Sequence, residues 1–503
     1  MNNAETPPVQ QPLQKLGFNT SDALLHGRNL RDNSRNVEAG DVFVCLPRAA
    51  SQARAYCQKA IEAGAVALVG TKDALVDTTS FSVPSLVFEN VNELAAWLRQ
   101  WHQSSQSKVQ CIGITGTDGK TSVTWMLREA LQRFAGQSNT PGAWSVGTLG
   151  LIRSTDECEE LANTTPSLLT NHDILAAAMQ SHVSTVVWEV SSHGIAQQRI
   201  AGIPFSLALW TTLGHDHIED HGSFEQYAAS KALFMQKTML GGGLLIANGD
   251  QPQLMDYLRD MPEVHCYQQW PADTGAMKED TLYWQQQGNE ALLLQRGSNK
   301  VLIQHVPRGQ FHAQNLAAVA TVLHLHWKMP LAELPQLLNH MTAPPGRMQA
   351  VSEHVYVDFA HTPEALQGCL QQARAWTQGQ LKLVFGCGGN RDKAKRPQMG
   401  AAAANWADEI WLTSDNPRDE AAETIMHDIY AGMTMGSSVC HMQADRKQAI
   451  YAAIASLQDQ DVLVIAGKGH ENYMETAGKR VPWSDAAIAR EAVLKYAGAA
   501  LCN

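Results

Sequence analysis

One seven-residue segment limits what this chain can fold into more than any other. Gly116-Thr117-Asp118-Gly119-Lys120-Thr121-Ser122 follows the apolar run VQCIGITG and precedes a stretch of helical character. An apolar run that ends in glycines predicts a buried strand, a tight turn and the start of a helix. Glycines in that turn let backbone N–H groups approach an anion. The helix N-terminus adds positive potential, Lys120 neutralises charge, and the Thr121 hydroxyl can bind a hard cation. The common phosphate-loop spacing G-x-x-x-x-G-K-[ST] would put glycine at position 114. Ile114 stands there, so this loop is a compact variant.

The rest of the chain alternates in the same style. Near the N-terminus, residues 42–46 (VFVCL) and 66–69 (VALV) predict strands, and AYCQKAIEAGA between them predicts a helix ended by glycine. Gln103-Ser104-Ser105-Gln106-Ser107 reads as a linker after a Trp-rich helix. TVVWEV, SLALWTTL and GLLIAN are further buried strands. Residues 282–306 alternate as an antiparallel meander, and a helix follows Phe311. Ala343-Pro344-Pro345-Gly346 is the next break. Beyond it VYVDFA, KLVFGCGG, EIWLTS and DVLVIAG alternate with helices, the pattern of a doubly wound sheet with polar loops at its strand C-termini. The 503 residues suit about three domains. We place them at 1–105, 106–343 and 344–503, all α/β.

Composition removes several classes. The net charge is −11 without a basic block, which argues against a nucleic-acid partner. No apolar run reaches the roughly 18 residues a membrane span needs, and the polar start MNNAETPPVQQPLQ lacks a signal-peptide core. The nine cysteines are odd in number and never spaced CxxC, so reduced thiols in a cytoplasmic protein are expected. No oligomer is implied.

Polar residues gather at predicted strand ends. Glu189 closes TVVWEV before Ser191-Ser192-His193, and Asp216-His217 follows SLALWTTL. An acid beside a phosphate loop can hold Mg²⁺, although taken alone it reads better as an ordinary helix N-cap. Lys231, alone, reads as a surface lysine of a helix. Arg347 sits at the second predicted boundary, where a phosphate contact and a salt bridge are both open. Asp358, His361, Asp415-Asn416-Pro417-Arg418 and Gly467-Lys468-Gly469-His470-Glu471 follow strands of the last sheet. Together such loops form the default ligand crevice of an open α/β sheet.

The ordered blocks GTDGKTS, NTTPS, EVSSHGI, GHDHIEDHG, YAASK, PPGRM, VDFAHTPEAL, FGCGGNRDKAKRP, SDNPR and AGKGHENY resemble the Mur ligases, from about residue 30 to 475. The match is closest to the family's diaminopimelate-adding muramoyl-tripeptide synthetases. The resemblance implies a substrate-binding N-terminal domain, a central P-loop ATPase-type parallel sheet and a C-terminal Rossmann-like sheet. It implies ATP-dependent joining of meso-diaminopimelate to a UDP-muramoyl dipeptide through an acyl phosphate. Gly116, Thr117, Asp118, Gly119, Lys120, Thr121 and Ser122 would hold the ATP phosphates. Thr121, Glu189, His217 and a carbamylated Lys231 would hold Mg²⁺. Asn315, Arg347 and Asp358 would contact the nucleotide. Ser34, Asn163, Thr164, Thr165, Ser191, Gln197 and Arg199 would bind the acceptor. Arg391, Asp415, Asn416, Arg418, Gly467 and Glu471 would receive the amino acid.

The chain also departs from the family's pattern. Arg48, Gln52 and Ala53 replace the expected P-G-x-x-x-D-G residues after Pro47, and Asn33-Ser34-Arg35 replaces D-S-R. Asp118, Thr212 and His312 stand where the family has asparagine, while Asn315 is kept. Two alternatives stay open on the sequence: a paralogue with the same ATP chemistry and another carboxylate acceptor, and a non-catalytic protein that kept the fold.

Overall fold

The computed structural model describes residues 28–46, 50–75, 81–138, 142–154, 157–214, 218–271, 277–433 and 438–500. The chain is α/β and divides into two compact units, residues 1–283 with 318–330 and residues 284–317 with 331–503.

The first unit holds two sheets. Strands β1 (Leu30–Arg31), β2 (Val42–Cys45), β3 (Ala67–Thr71) and β4 (Ser85–Phe88) form a parallel sheet in chain order. The helix Ala50–Glu62 carries the chain from β2 to β3. Gly64 then turns the backbone at φ +103°, where an added Cβ would lie 2.8 Å from the Ala39 Cα, so glycine is required. The helix Val91–Trp101 is capped by Asn90, whose side chain accepts from the backbone N–H groups of Asn92 and Glu93. Its Leu94, Trp97 and Leu98 pack with Val42, Val44, Val69 and Leu86, and with Leu168 and Leu169 of the helix Leu168–Gln180.

The second sheet contains β5 (Gln110–Thr115), β6 (Ala143–Gly147), β7 (Gly150–Ile152), β8 (Cys158–Glu159), β9 (Thr185–Glu189), β10 (Phe205–Trp210), β11 (Leu244–Asn248) and β12 (Val264–Gln269). Their order is β12-β11-β10-β5-β9-β6-β7-β8, and all run the same way except β7, which is antiparallel to both of its neighbours. The central strands are apolar on both faces because both are covered, as the unbroken apolar runs predicted. β5 lies between β9 and β10 with Ile114 opposite Glu189 and Thr115 opposite Trp210. That register brings the ends of three strands side by side, so the loops that follow them share one edge.

In the second unit, β13 (Leu282–Gln287), at whose start the chain passes into this unit, runs beside β14 (Ala291–Arg296), which in turn runs beside β15 (Asn299–Gln304). This is the expected meander, with β14 and β15 antiparallel. Strands β16 (Gln349–Ala350), β17 (Val355–Val357), β18 (Leu381–Phe385), β19 (Glu409–Leu412), β20 (Val439–Met442) and β21 (Val462–Ile465) form a sheet in the order β16-β17-β21-β18-β19-β20. All but β16 are parallel. Alternate strand residues feed two cores: Tyr356, Leu383 and Phe385 pack on one face, Val355, Val357 and Val384 on the other. A hairpin, β22 (Tyr473–Thr476) and β23 (Lys479–Pro482), follows. Its two-residue turn, Ala477-Gly478, has positive φ at both positions (48° and 71°), the conformation such tight hairpins prefer. β20 and the hairpin were not expected, because β20 and β23 are largely exposed, β22 is half-buried, and none of the three carries an apolar pattern.

Candidate functional site

Two clusters of polar groups stand out, one in each unit. The first surrounds the glycine turn after β5. The segment after β10 shapes that turn: the Thr211 hydroxyl donates to the Asp118 carbonyl at 2.5 Å, and Thr212 Oγ1 accepts from the Asp118 N–H at 2.8 Å. Thr212, a departure at sequence level, thus buttresses the loop itself. Gly116 must be glycine, since a Cβ would lie 2.0 Å from Thr211 Oγ1. Thr117 Oγ1 accepts from the Gly214 N–H at 2.8 Å and meets the Tyr227 hydroxyl at 2.9 Å.

Two lysines converge on this turn. Lys120, the first residue of the helix Lys120–Ser138, donates from Nζ to the carbonyls of Gly116 at 2.9 Å and Thr117 at 2.7 Å. Lys231 lies in the helix Phe224–Leu240, is 1% exposed, and donates to the same Gly116 carbonyl at 3.0 Å. Its Nζ also stands 4.4 Å from the Tyr227 ring centre. Lys231 is therefore no surface lysine but part of the buried edge. The Lys120 side chain, a helix N-terminus and loop N–H groups concentrate positive potential where a polyphosphate would sit.

Glu189 faces the turn from the end of β9 and is 1% exposed. Its carboxylate accepts from the Thr121 hydroxyl (2.9 Å), the Thr148 N–H (2.9 Å) and the Thr148 hydroxyl (3.1 Å). Thr148 in turn meets Thr164 at 3.1 Å. Thr165 Oγ1 contacts the Glu189 carbonyl at 2.8 Å and accepts from the Ser191 N–H at 2.9 Å. Ser191 caps the helix Ser192–Ala196 through the Gly194 N–H. Arg199 donates to the Thr165 carbonyl at 2.9 Å and, through Nε and Nη2, to Gln197 Oε1. Thr164, Thr165, Ser191, Gln197 and Arg199 thus form one network with Glu189, while Asn163 is exposed beside it. Ser122 is buried in the helix. His217 lies outside the described residues.

Among the described residues, no three His, Cys, Asp or Glu side chains gather as a metal cluster. The donors at the turn are instead a carboxylate and hydroxyls. Hard oxygens in small number suit Mg²⁺, which keeps waters and takes phosphate oxygens for the rest of its shell.

Ser34, which follows β1 in the chain, is buried. Beside it opens a cavity of about 400 Å³ whose polar lining includes Arg31, Asp32, Asn33, Arg153, Glu159 and Asp173. Arg31 is paired with Asp41, and Arg153 with Glu157 and Glu159. Gln52 and Ala53 lie in the helix Ala50–Glu62.

The second cluster stands at the C-terminal edge of the sheet in the other unit. Arg446 and Asp485, both fully buried, form a bidentate pair at 2.9 and 2.6 Å. Arg446 also donates to the carbonyls of Ser414 and Ala466, the roots of the loops 415–418 and 467–471. Burial pushes the Asp415 carboxyl upward, with the Lys468 and Arg446 charges opposing. Gly467 is packed so closely that a Cβ would lie 2.8 Å from Asp415 Oδ2. Lys468, fully buried, donates to Asn416 Oδ1 at 3.0 Å and Glu471 Oε2 at 2.9 Å, and Asn416 Nδ2 donates to the same Glu471 oxygen. Arg418 donates to the Gly389 carbonyl at 2.8 Å, and the exposed Arg391 lies on the same side of Gly388.

Asp358 is pushed upward by burial while Arg347 and two backbone donors, Met348 (2.7 Å) and Ala360 (2.8 Å), pull the other way. Arg347 stacks over Phe359 at 5.1 Å. His312 and Asn315 are both buried in the helix Gln310–His326, and burial holds His312 down at about 4, so it is neutral.

Sequence reasoning missed Gly147, Thr148, Thr211, Lys468 and the hairpin. Only Lys468, inside a quoted block, had a signal that could have found it. The rest are ordinary residues that strand pairing brings to the site.

A model of the Mur ligase middle domain matches residues 114–323, and one described as "Mur ligase, glutamate ligase domain" matches residues 346–469. The chain is 33% identical over 498 residues to the UDP-N-acetylmuramoyl-L-alanyl-D-glutamate–2,6-diaminopimelate ligase of Coxiella burnetii, covering 94% of this chain and 96% of that protein. It is 33% identical over 475 residues to the ligase of the same name from Pseudomonas aeruginosa, covering 93% and 95%. A solved structure of a UDP-N-acetylmuramoyl-L-alanyl-D-glutamate–2,6-diaminopimelate ligase is similar with a TM-score of 0.64 at 27% identity, covering 93% and 95%.

Proposed function

The chain belongs to the Mur ligase family, and from that premise we propose that it adds meso-diaminopimelate to UDP-N-acetylmuramoyl-L-alanyl-D-glutamate, consuming ATP and forming ADP. The observation that carries this reading is the convergence of Lys120, Lys231, Thr121 and Glu189 on one glycine turn. The domain division at 105/106 and 343/344, the role of each residue below, and a place in the cytoplasm for peptidoglycan precursor synthesis belong to the same reading. No described helix is long and apolar enough to cross a membrane.

In this reading the loop N–H groups cradle the ATP phosphates. Lys120 leaves the Gly116 and Thr117 carbonyls for the phosphate where negative charge develops. The acceptor carboxylate, oriented by Thr164, Thr165, Ser191, Gln197 and Arg199, attacks the γ-phosphorus; ADP leaves and an acyl phosphate forms. Glu189, the Thr121 hydroxyl, His217 and Lys231 as its carbamate (amine plus carbon dioxide, one proton released) would hold magnesium. Bound there, it would neutralise phosphate charge. Asn315, Arg347 and Asp358 contact the nucleotide. Arg391, Asp415, Asn416, Arg418, Gly467 and Glu471 present the amino acid, whose amine attacks the acyl carbon and expels phosphate. No side-chain nucleophile is needed.

One observation favours a second reading, the same ATP chemistry on another carboxylate acceptor. The cavity beside Ser34 carries Asp32, Glu159 and Asp173 against two arginines, each already paired with an acid. That is a poor welcome for a diphosphate. Phosphate release measured over a panel of acceptors, each with meso-diaminopimelate, separates the two. Turnover confined to the UDP-muramoyl dipeptide supports the first reading, and turnover only with other carboxylates overturns it.

A further inference from the structure

The hairpin β22–β23 forms a wall beside Arg418. Arg418 donates its backbone N–H to the Glu475 carbonyl at 3.1 Å, and its own carbonyl accepts from the Ala477 N–H at 2.8 Å. This pairing holds Arg418 at φ +52°, a left-handed conformation that an arginine rarely adopts unaided. The hairpin is also tied to the loop through Asn416, whose Oδ1 accepts from the Glu475 N–H at 2.9 Å. The Glu475 carboxylate then lies between two guanidinium groups, with Oε2 at 3.5 Å from Arg418 Nε and 3.7 Å from Arg480 Nε. Arg418 and Glu475 are about four-fifths buried, whereas Arg480 is mostly exposed and stacks over Tyr473 at 4.2 Å.

Both distances exceed hydrogen-bond length, so Glu475 is attracted to each arginine and locked to neither. We infer that Glu475 is a specificity-determining residue: an internal carboxylate that occupies Arg418 until the distal carboxylate of the incoming amino acid displaces it toward Arg480. The inference rests on the proposed reading of Arg418 as receptor for that carboxylate.

Two consequences of opposite sign follow. An incoming diacid must compete with Glu475, which raises its KM. An amino acid without the distal carboxylate, such as L-lysine, leaves Arg418 still paired with Glu475. The penalty for stranding a desolvated guanidinium is then softened. Glu475 thus taxes the diacid and tolerates the mono-acid, and Arg480 supplies the resting place that keeps the tax small.

The test is steady-state kinetics of the full chain with meso-diaminopimelate and with L-lysine, for wild type, Glu475→Gln and Arg480→Gln. In Glu475→Gln, KM for diaminopimelate should fall about 2- to 5-fold and KM for lysine should rise by a similar factor, as expected for loss of a partly exposed ion pair. kcat should hold. In Arg480→Gln, KM for diaminopimelate should rise, because Glu475 has nowhere else to go, and KM for lysine should not move. A general loosening of the hairpin would shift both substrates in one direction in both variants, and that result overturns the proposal. Unchanged KM values in Glu475→Gln, alongside an Arg418→Ala variant that loses the preference for diaminopimelate, also overturn it but leave the proposed function standing. A wild type that turns over neither amino acid sinks both.

Discussion

Gly147 tests the Glu189 network more sharply than the carboxylate itself. Gly147 ends β6, and β6 pairs with β9 so that Val146 stands opposite Trp188. The next residue on each strand is Gly147 and Glu189. A Cβ on residue 147 would lie 2.1 Å from Glu189 Oε1, 2.5 Å from Cδ and 2.6 Å from Cγ. Rotating the carboxylate cannot clear three successive atoms, so the whole side chain must withdraw by about 1 Å to reach normal van der Waals separation. Gly147 does not need a positive φ, so Gly147→Ala strains no backbone and acts through this overlap alone. The three hydrogen bonds to Glu189, now 2.9 to 3.1 Å, would stretch past useful length. A displacement of ~1 Å in a positioned catalytic group costs roughly 100-fold in rate, and overpacking costs about 1–3 kcal/mol of stability. The assay is initial ADP formation with saturating acceptor and amine across a magnesium titration, with thermal unfolding alongside. Gly136→Ala is the control: nothing lies within 4 Å of its added Cβ, so activity should hold. A Gly147→Ala enzyme with kcat within about twofold of wild type would refute the positioning argument.

Further outcomes follow from the same clusters. Lys120→Ala should lose roughly 100-fold or more in kcat, the usual worth of a preorganised contact to developing charge; near-normal ADP formation would remove the phosphate-loop assignment. Lys231→Ala should be nearly inactive and partly restored by a small added carboxylate, because an anion and not an ammonium is required beside magnesium; full activity without additive would end the metal role. His172 is fully buried, donates from Nε2 to the Ala201 carbonyl at 3.0 Å, and leaves Nδ1 without a hydrogen-bond partner. Burial holds it down at about 4 against 6.5 when exposed. Its folded value is the lower one, so the stability it contributes is complete above pH 6.5 and drains away as pH falls toward 4, by about 3 kcal/mol. His172→Gln keeps a donor without a titration, so its unfolding free energy should vary less with pH across that window; identical pH profiles would show that His172 does not matter.

Local patterns in the sequence determined a good deal. The strand, glycine turn and helix around Lys120 follow from an apolar run meeting Gly116, and the meander at 282–304 follows from its alternation. The loops 415–418 and 467–471 were legible because polar residues follow apolar strands, and those strands line up in a parallel sheet. Periodicity reports which face of an element is buried; it does not report which strand lies beside which. Only the tertiary structure put β9 and β10 on either side of β5, and so brought Glu189, Thr211 and Thr212 to a turn that lies 73 to 96 residues earlier in the chain. Only the pairing of β6 with β9 made Gly147 and Thr148 neighbours of Glu189. Lys231 read as a surface lysine because one face of its helix is polar, yet packing turned it onto the Gly116 carbonyl. The hairpin beside Arg418 has one half-buried and one exposed strand and no apolar pattern, so its place was decided by hydrogen bonds to Arg418 and Asn416, far away in the chain. Strand order and long-range pairing arise from contacts between residues far apart in the chain, and no local pattern encodes them.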